Sequence, residues 1–165
     1  MPDKVLTTIK PREYQKNIFE NCKEKNCLIV LPTGIGKTLI ALMLSIYTQK
    51  KHPASKTLFL APTRPLAEQH LSYFKKHLPE LFAELTLFTG KVNAEKRREL
   101  WDTSDIVFST PQCIGNDIKN NLYNLEEVSL LVEDEAHRCF QNYAYTYIAE
   151  KYKEQAKNPR ILGLT

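Results

Sequence analysis

Six short runs rich in β-branched and large apolar residues punctuate this chain and leave few folds open to it: "CLIVLP", "TLFLAP", "LTLFTG", "DIVFST", "VSLLVEDE" and "RILGLT". Each of the first five is followed by a longer segment with apolar residues at helical spacing. Strands alternating with helices build βαβ units, so the predicted fold class is α/β, with a mostly parallel central sheet and helices on both faces. The continuous apolar stretches "CLIV" and "LLV" fit strands covered on both sides. Helix boundaries are marked too. Pro65 tolerates the missing amide donor of a first turn, Asn93 offers a capping oxygen, and Pro53 follows the end of the helix after "CLIVLP". At 165 residues, with 42% hydrophobic and 25% charged residues, the chain has the size of a single domain. Such a chain buries roughly two thirds of its unfolded surface.

Ligands of open parallel sheets bind outside the carboxyl ends of the strands, and two junctions there carry unusual chemistry. After "CLIVL" comes "PTGIGKT", in which Gly34 and Gly36 let the backbone curl until successive amide hydrogens face one point. The helix that follows aims its positive end at the same point. Thr33, Gly34, Ile35 and Gly36 thus form an anion nest, Lys37 is placed to reach β and γ phosphates, and Thr38 to ligate Mg²⁺. Leu31 stands where the usual G-x-x-x-x-G-K-[ST] pattern begins with glycine. On local grounds alone the two glycines also suit a plain strand-to-helix turn. In "LLVEDEAHR", Asp134 is suited to hold Mg²⁺ through water and Glu135 to orient or deprotonate an attacking water. Adjacent acids can also simply cap the next helix, so it is the conjunction with the glycine loop that points to a nucleotide site.

The formal charge of +4 and pI near 8.8 permit a polyanionic partner without demanding one. No apolar run approaches the ~18 residues that span a bilayer, and "MPDKVLTTIK" lacks the core of a signal peptide. A soluble, intracellular, cytoplasmic protein is expected. Cys22, Cys27, Cys113 and Cys139 contain no C-x-x-C pair and read as buried or incidental thiols. His52, His70, His77 and His137 are scattered, and although His70 and His77 share a helical face, no further ligands lie near them in sequence. In "KVNAEKRRE", Lys91, Lys96, Arg97 and Arg98 read as a solvated helix face that also offers phosphate contacts.

Together "LPTGIGKT" and "DEAHR" resemble superfamily 2 helicases, in which the first loop position is often not glycine. The likeness runs along the whole chain. "PREYQ" is similar to the Q-type adenine motif, "APTRPLAEQ" to motif Ia, "TG" at Thr89 and Gly90 and "TPQ" at Thr110 to Gln112 to the Ib region, and "LGLT" to the start of motif III. More narrowly, "LIVLPTGIGKTLIA", "APTRPL", "STPQ", "DEAHR" followed by "NYAY", and "AKNPRILGLT" resemble the archaeal Hef helicase-nuclease family, kin to the Fanconi anaemia group M translocases. The innate-immune RNA sensors are more distant.

This resemblance implies a RecA-like P-loop domain over residues 1–165 that uses ATP and Mg²⁺ and ends inside motif III. It implies that Arg12 and Gln15 contact adenine, and that Thr63, Arg64, Pro65, Thr89, Gly90, Thr110 and Pro111 line a nucleic-acid track. His137 links the nucleotide to motif III in such motors. The bland readings are a surface Gln15, a solvated Arg64 and a polar helix-start His137. The parent activity implied is that of an ATP-dependent DNA helicase or translocase in DNA repair, acting on forked or branched DNA, with DNA preferred to RNA. A second RecA-like domain would supply the arginine finger, so this chain alone is expected to bind nucleotide but hardly to hydrolyse or unwind. Three alternatives stay open: an RNA helicase or RNA-sensing translocase, a nucleotide-binding module completed by a separate partner, and a P-loop kinase. Glu133 departs from the family, which usually has an apolar residue there. Strand alternation sets Glu133 on the face opposite Asp134, where it either pairs with a helix lysine or marks a strand end more open than assumed.

Overall fold

All six apolar runs form strands in the computed structural model, which describes Leu6, residues 8–141 and residues 143–165, without side chains at 139–141. Asn142 and the Cys139 thiol thus lie outside the described parts. Helix α1 (Glu13–Cys22) leads into β1 (Cys27–Ile29), α2 (Lys37–Lys51), β2 (Lys56–Leu60) and α3 (Arg64–His77). Then come β3 (Leu85–Phe88), α4 (Ala94–Thr103), β4 (Ile106–Ser109) and α5 (Pro111–Lys119). Strand β5 (Val128–Asp134) passes through a 3₁₀ helix (Ala136–Gln141) into α6 (Tyr143–Gln155), and β6 (Ile161–Leu164) follows.

The sheet order is β1-β6-β5-β2-β4-β3, and every neighbouring pair is parallel. All six carboxyl ends therefore open onto one edge. On one face, Phe19 of α1, Ile40 and Leu44 of α2 and Phe74 of α3 pack against Phe59, Phe108, Leu130 and Val132. On the other, Trp101 of α4, Ile114 of α5 and Tyr145 and Ile148 of α6 pack against Leu58, Val107 and Leu131. The period-2 alternation of β5 decides which residue joins which face. Phe59, Phe74 and Phe108 meet at centroid distances of 5.0–5.7 Å, two of the three pairs edge-on, a geometry aromatic quadrupoles favour.

The helix punctuation behaves as the sequence implies. Thr63 Oγ1 accepts from the Leu66 amide at 3.4 Å and Asn93 Oδ1 from the Lys96 amide at 2.8 Å, each satisfying a first-turn donor. Pro65 and Pro111 sit in first turns. The reading of "CLIV" as a strand covered on both faces is corrected. β1 is an edge strand, Leu28 and Val30 are 61% and 69% exposed, and only the Ile29 side is packed. An apolar run reports residue type, not the number of neighbours a strand acquires.

Candidate active site

The loop between β1 and α2 curls as two left-handed glycines allow. Gly34 has φ +84° and Gly36, the residue before α2, has φ +90° and ψ +36°, conformations that cost an L side chain energy. Helix α2 then begins at Lys37, directing its first amides into the loop. Lys37 Nζ donates to the Leu31 carbonyl at 3.2 Å, which keeps the ammonium over the loop. Thr38 is half-buried in the first turn of α2.

Helix α1 braces the loop from outside. Gln15 is 4% exposed; its Oε1 accepts from the Arg12 amide at 2.8 Å and its Nε2 donates to the Gly36 carbonyl at 3.2 Å. The Tyr14 hydroxyl donates to the Ile35 carbonyl. A methyl at Gly36 would stand 2.3 Å from Gln15 Nε2, so the fit needs a glycine for space as well as for φ. The surface reading of Gln15 is thereby set aside: the role its amide displays is support of the phosphate loop. Arg12 is exposed.

Only β6 separates β1 from β5, so the glycine loop and Asp134 emerge two strand spacings apart, about 10 Å. Asp134 is 8% exposed, and its Oδ2 lies 2.7 Å from Nε2 of His70 on α3. The Tyr145 hydroxyl donates to the Asp134 carbonyl at 3.0 Å. Because Asp134 meets α3, Glu133 points to the α4–α6 face, as alternation requires; it is 8% exposed, so the strand end is not open. Glu135 has φ +54°, a strained backbone for a residue with a side chain. Its Oε2 lies 3.2 Å from Nε2 of His137, whose Nδ1 is 2.7 Å from the Thr165 hydroxyl. A neutral ring with its proton on Nε2 donates to Glu135 and accepts from Thr165, satisfying both contacts. Thr165 in turn pairs with the strand that feeds the loop, donating to the Ile29 carbonyl at 3.0 Å and accepting from the Leu31 amide at 3.1 Å. His137 therefore joins the acidic turn to "LGLT" and, through it, to the phosphate loop.

The other half of the edge belongs to β2, β4 and β3. Thr63, Arg64 and Pro65 are exposed at the start of α3, with Arg64 Nε donating to Glu68 at 2.8 Å. Gly90 is exposed and Thr89 and Thr110 are half-buried at neighbouring strand ends. Pro111 is buried, so it can set the start of α5 but presents no surface. Arg97 corrects the picture of a wholly solvated "KVNAEKRRE" face. It is 9% exposed, grips Asp117, and also donates through Nη1 to the Thr89 carbonyl at 3.4 Å and to the Val92 carbonyl. The hydrogen bond to Asp117 raises the Arg97 pKa further.

His70 escaped the sequence reading. Its signal was the apolar stripe Ala67, His70, Phe74 and His77 on α3, in which an imidazole two turns inside the helix faces inward. The acid it would meet lay 64 positions away with no local mark of the pairing.

Residues 8–165 match the protein family described as type III restriction enzyme, res subunit. The fold superposes on the crystal structure of the Pyrococcus furiosus Hef helicase domain with a TM-score of 0.90 and 48% identity, over 94% of this chain and 32% of that one. A Methanocaldococcus jannaschii protein provisionally named ATP-dependent RNA helicase MJ1505 is 41% identical over 96% of this chain. The Drosophila melanogaster DEAD-box ATP-dependent DNA helicase Fancm is 35% identical over 93% of it. The chain spans 20% and 11% of the lengths of these two relatives. No helix among the described residues is long and apolar enough to cross a membrane. The chain belongs to the type III restriction enzyme res-subunit family and is a RecA-like helicase domain of superfamily 2, similar to Hef and Fancm.

Proposed function

We propose that this chain is the ATP- and Mg²⁺-binding first motor domain of an ATP-dependent DNA helicase or translocase that works on forked or branched DNA. The observation that carries the reading is the chain of contacts from Glu135 through His137 and Thr165 to the phosphate loop, which ties the acidic turn to the nucleotide-facing edge. The loop amides and Lys37 bind and neutralise the phosphates, while Arg12 and Gln15 flank the adenine. Oxygen donors at Thr38 and Asp134 suit Mg²⁺, which keeps most of its waters and takes few protein ligands. When bound, that ion neutralises charge on the β and γ phosphates. Glu135 orients the attacking water and takes its proton, and His137 holds Glu135 in place while reporting to motif III.

Thr63, Arg64, Thr89, Gly90 and Thr110 form the nucleic-acid track, gripping phosphates through amides, hydroxyls and a cation and so reading no base sequence. A second RecA-like domain, supplied by the rest of a longer protein or by a partner, completes the track and brings an arginine finger that contributes about 10³ to 10⁵ in rate. DNA is favoured over RNA by the likeness to the DNA helicase Fancm; the name of the M. jannaschii relative is the observation on the side of RNA.

Calorimetric titration with MgATP tests the nucleotide site: the chain binds, and Lys37→Ala loses about 10- to 100-fold in affinity with its fold retained, as expected for lost hydrogen bonds to charged groups. Turnover with forked DNA, duplex RNA or neither tests the rest. Strong stimulated turnover by this chain alone would overturn the need for a second domain, and phosphate transfer to a small acceptor would favour a kinase.

A further inference from the structure

The imidazole of His70 and the carboxylate of Asp134 form a buried pair, 9% and 8% exposed, joined at 2.7 Å between Nε2 and Oδ2. A carboxylate this far from water needs a donor, and His70 supplies one at a single oxygen. The ring is fixed from its other side. It lies over Phe59 at 4.5 Å between centroids, and Phe59 is itself packed against Phe74 and Phe108. Rotation of the imidazole would break that aromatic cluster, so the direction of Oδ2 is set by the core and not by a mobile side chain.

The pair also lies at a boundary. β5 is the last strand on the phosphate-loop side and β2 the first on the side of Thr63, Thr89 and Thr110, and His70 stands on α3, the helix that follows β2. Helix α3 opens with the exposed Thr63–Pro65 turn and reaches Asp134 two turns later.

We infer that His70 is the positioning residue for the metal-binding carboxylate: its Nε2–H holds Oδ2 and turns Oδ1 toward Mg²⁺, so that the seating of α3 governs the strength of the metal site. This rests on the nucleotide and Mg²⁺ reading above. Partners of metal-ligating groups characteristically affect metal affinity by about 10- to 100-fold when removed. A residue needed only for packing has no reason to distinguish magnesium-bound from magnesium-free nucleotide.

The test is ATP affinity by calorimetry, with excess Mg²⁺ and with EDTA, for the unaltered chain, His70→Leu and His70→Gln, with a melting curve for each. His70→Leu is expected to lower the Mg²⁺-dependent gain in affinity about tenfold and to leave the EDTA value unchanged. His70→Gln, whose amide restores a donor near Nε2, is expected to recover most of that gain. In an Asp134→Asn background, His70→Leu is expected to add nothing. If the leucine variant does not fold, His70→Asn, too short to reach Oδ2, takes its place. Equal loss with and without Mg²⁺, or no loss in either, overturns the inference while leaving the nucleotide site standing. Failure of the unaltered chain to bind ATP at all overturns both.

Discussion

Arg97 on α4 holds Asp117 on α5 by two parallel hydrogen bonds, Nε to Oδ2 at 2.8 Å and Nη2 to Oδ1 at 2.5 Å. Asp117 is 1% exposed and also accepts from the Tyr123 hydroxyl at 2.7 Å. Burial first, and then the Asp117 charge, push the Tyr123 phenol far above its ordinary range, so it stays a donor. Removing one member leaves a charge in the interior, whereas removing both as apolar groups need not. Arg97→Met is expected to cost about 3–5 kcal/mol, and Arg97→Met with Asp117→Leu to recover most of it. Urea unfolding measures both; a double variant no more stable than the single one refutes the account.

Gly34 and Gly36 share a left-handed backbone but not their surroundings. A methyl at Gly34 meets nothing within 4 Å, while one at Gly36 meets Gln15 Nε2 at 2.3 Å. Gly34→Ala should therefore cost only the conformational term, about 1–2 kcal/mol. Gly36→Ala should cost more and weaken nucleotide binding as well, because Gln15 must leave its brace. Equal thermal stability of the two variants would contradict this.

Glu135 carries a φ of +54°. At such a position glycine is relieved of strain that alanine retains, so Glu135→Gly should be the more stable of the two by about 1 kcal/mol, the reverse of their order inside a helix. Glu135→Gln should keep nucleotide affinity and lose residual hydrolysis. Calorimetry and a phosphate-release assay check the second point, and loss of binding would make Glu135 structural.

His77 gives a pH dependence of known sign. Burial first, and then Lys76, hold its pKa below the ordinary 6.5, and its Nδ1 meets the Thr8 hydroxyl at 2.5 Å. Below about 6.5 the unfolded chain takes up a proton that the folded one declines, so the unfolded state binds more protons and stability rises with pH there. The contribution is present above that pH and fades as pH falls through the folded-state value. His77→Asn should flatten the slope of unfolding free energy between about pH 7 and pH 5. An identical slope in the variant would exclude His77 as its source.

Much of the fold could be read in the sequence because each element carries its own chemistry. "TLFLAP" and "VSLLVEDE" are strands by residue type, and Thr63 and Asn93 cap helices through atoms only a few residues away. The loop at Gly34 and Gly36 was legible for the same reason, since the requirement for glycine is local. What escaped was set by distant partners. Leu28 lies exposed because β1 stands at the sheet edge, where among the described residues only the Ile29 side is packed, His70 matters because Asp134 faces it, and Arg97 is buried because Asp117 lies beneath it. None of the three is marked by neighbouring residues.

The pairing of β1 with β6 bears on how this domain comes into being. Cys27 lies against Leu162 and Ile29 against Leu164, so among the described residues the strand that leads into the phosphate loop is paired with β6, a strand far from it in sequence. Strands β2 to β5 pair among themselves, whereas the loop is anchored through Thr165 only when β6 lies beside β1. Closure over so long a stretch of chain is entropically slow. The placing of the phosphate loop therefore depends on a pairing between two distant stretches of chain and not on the glycines alone.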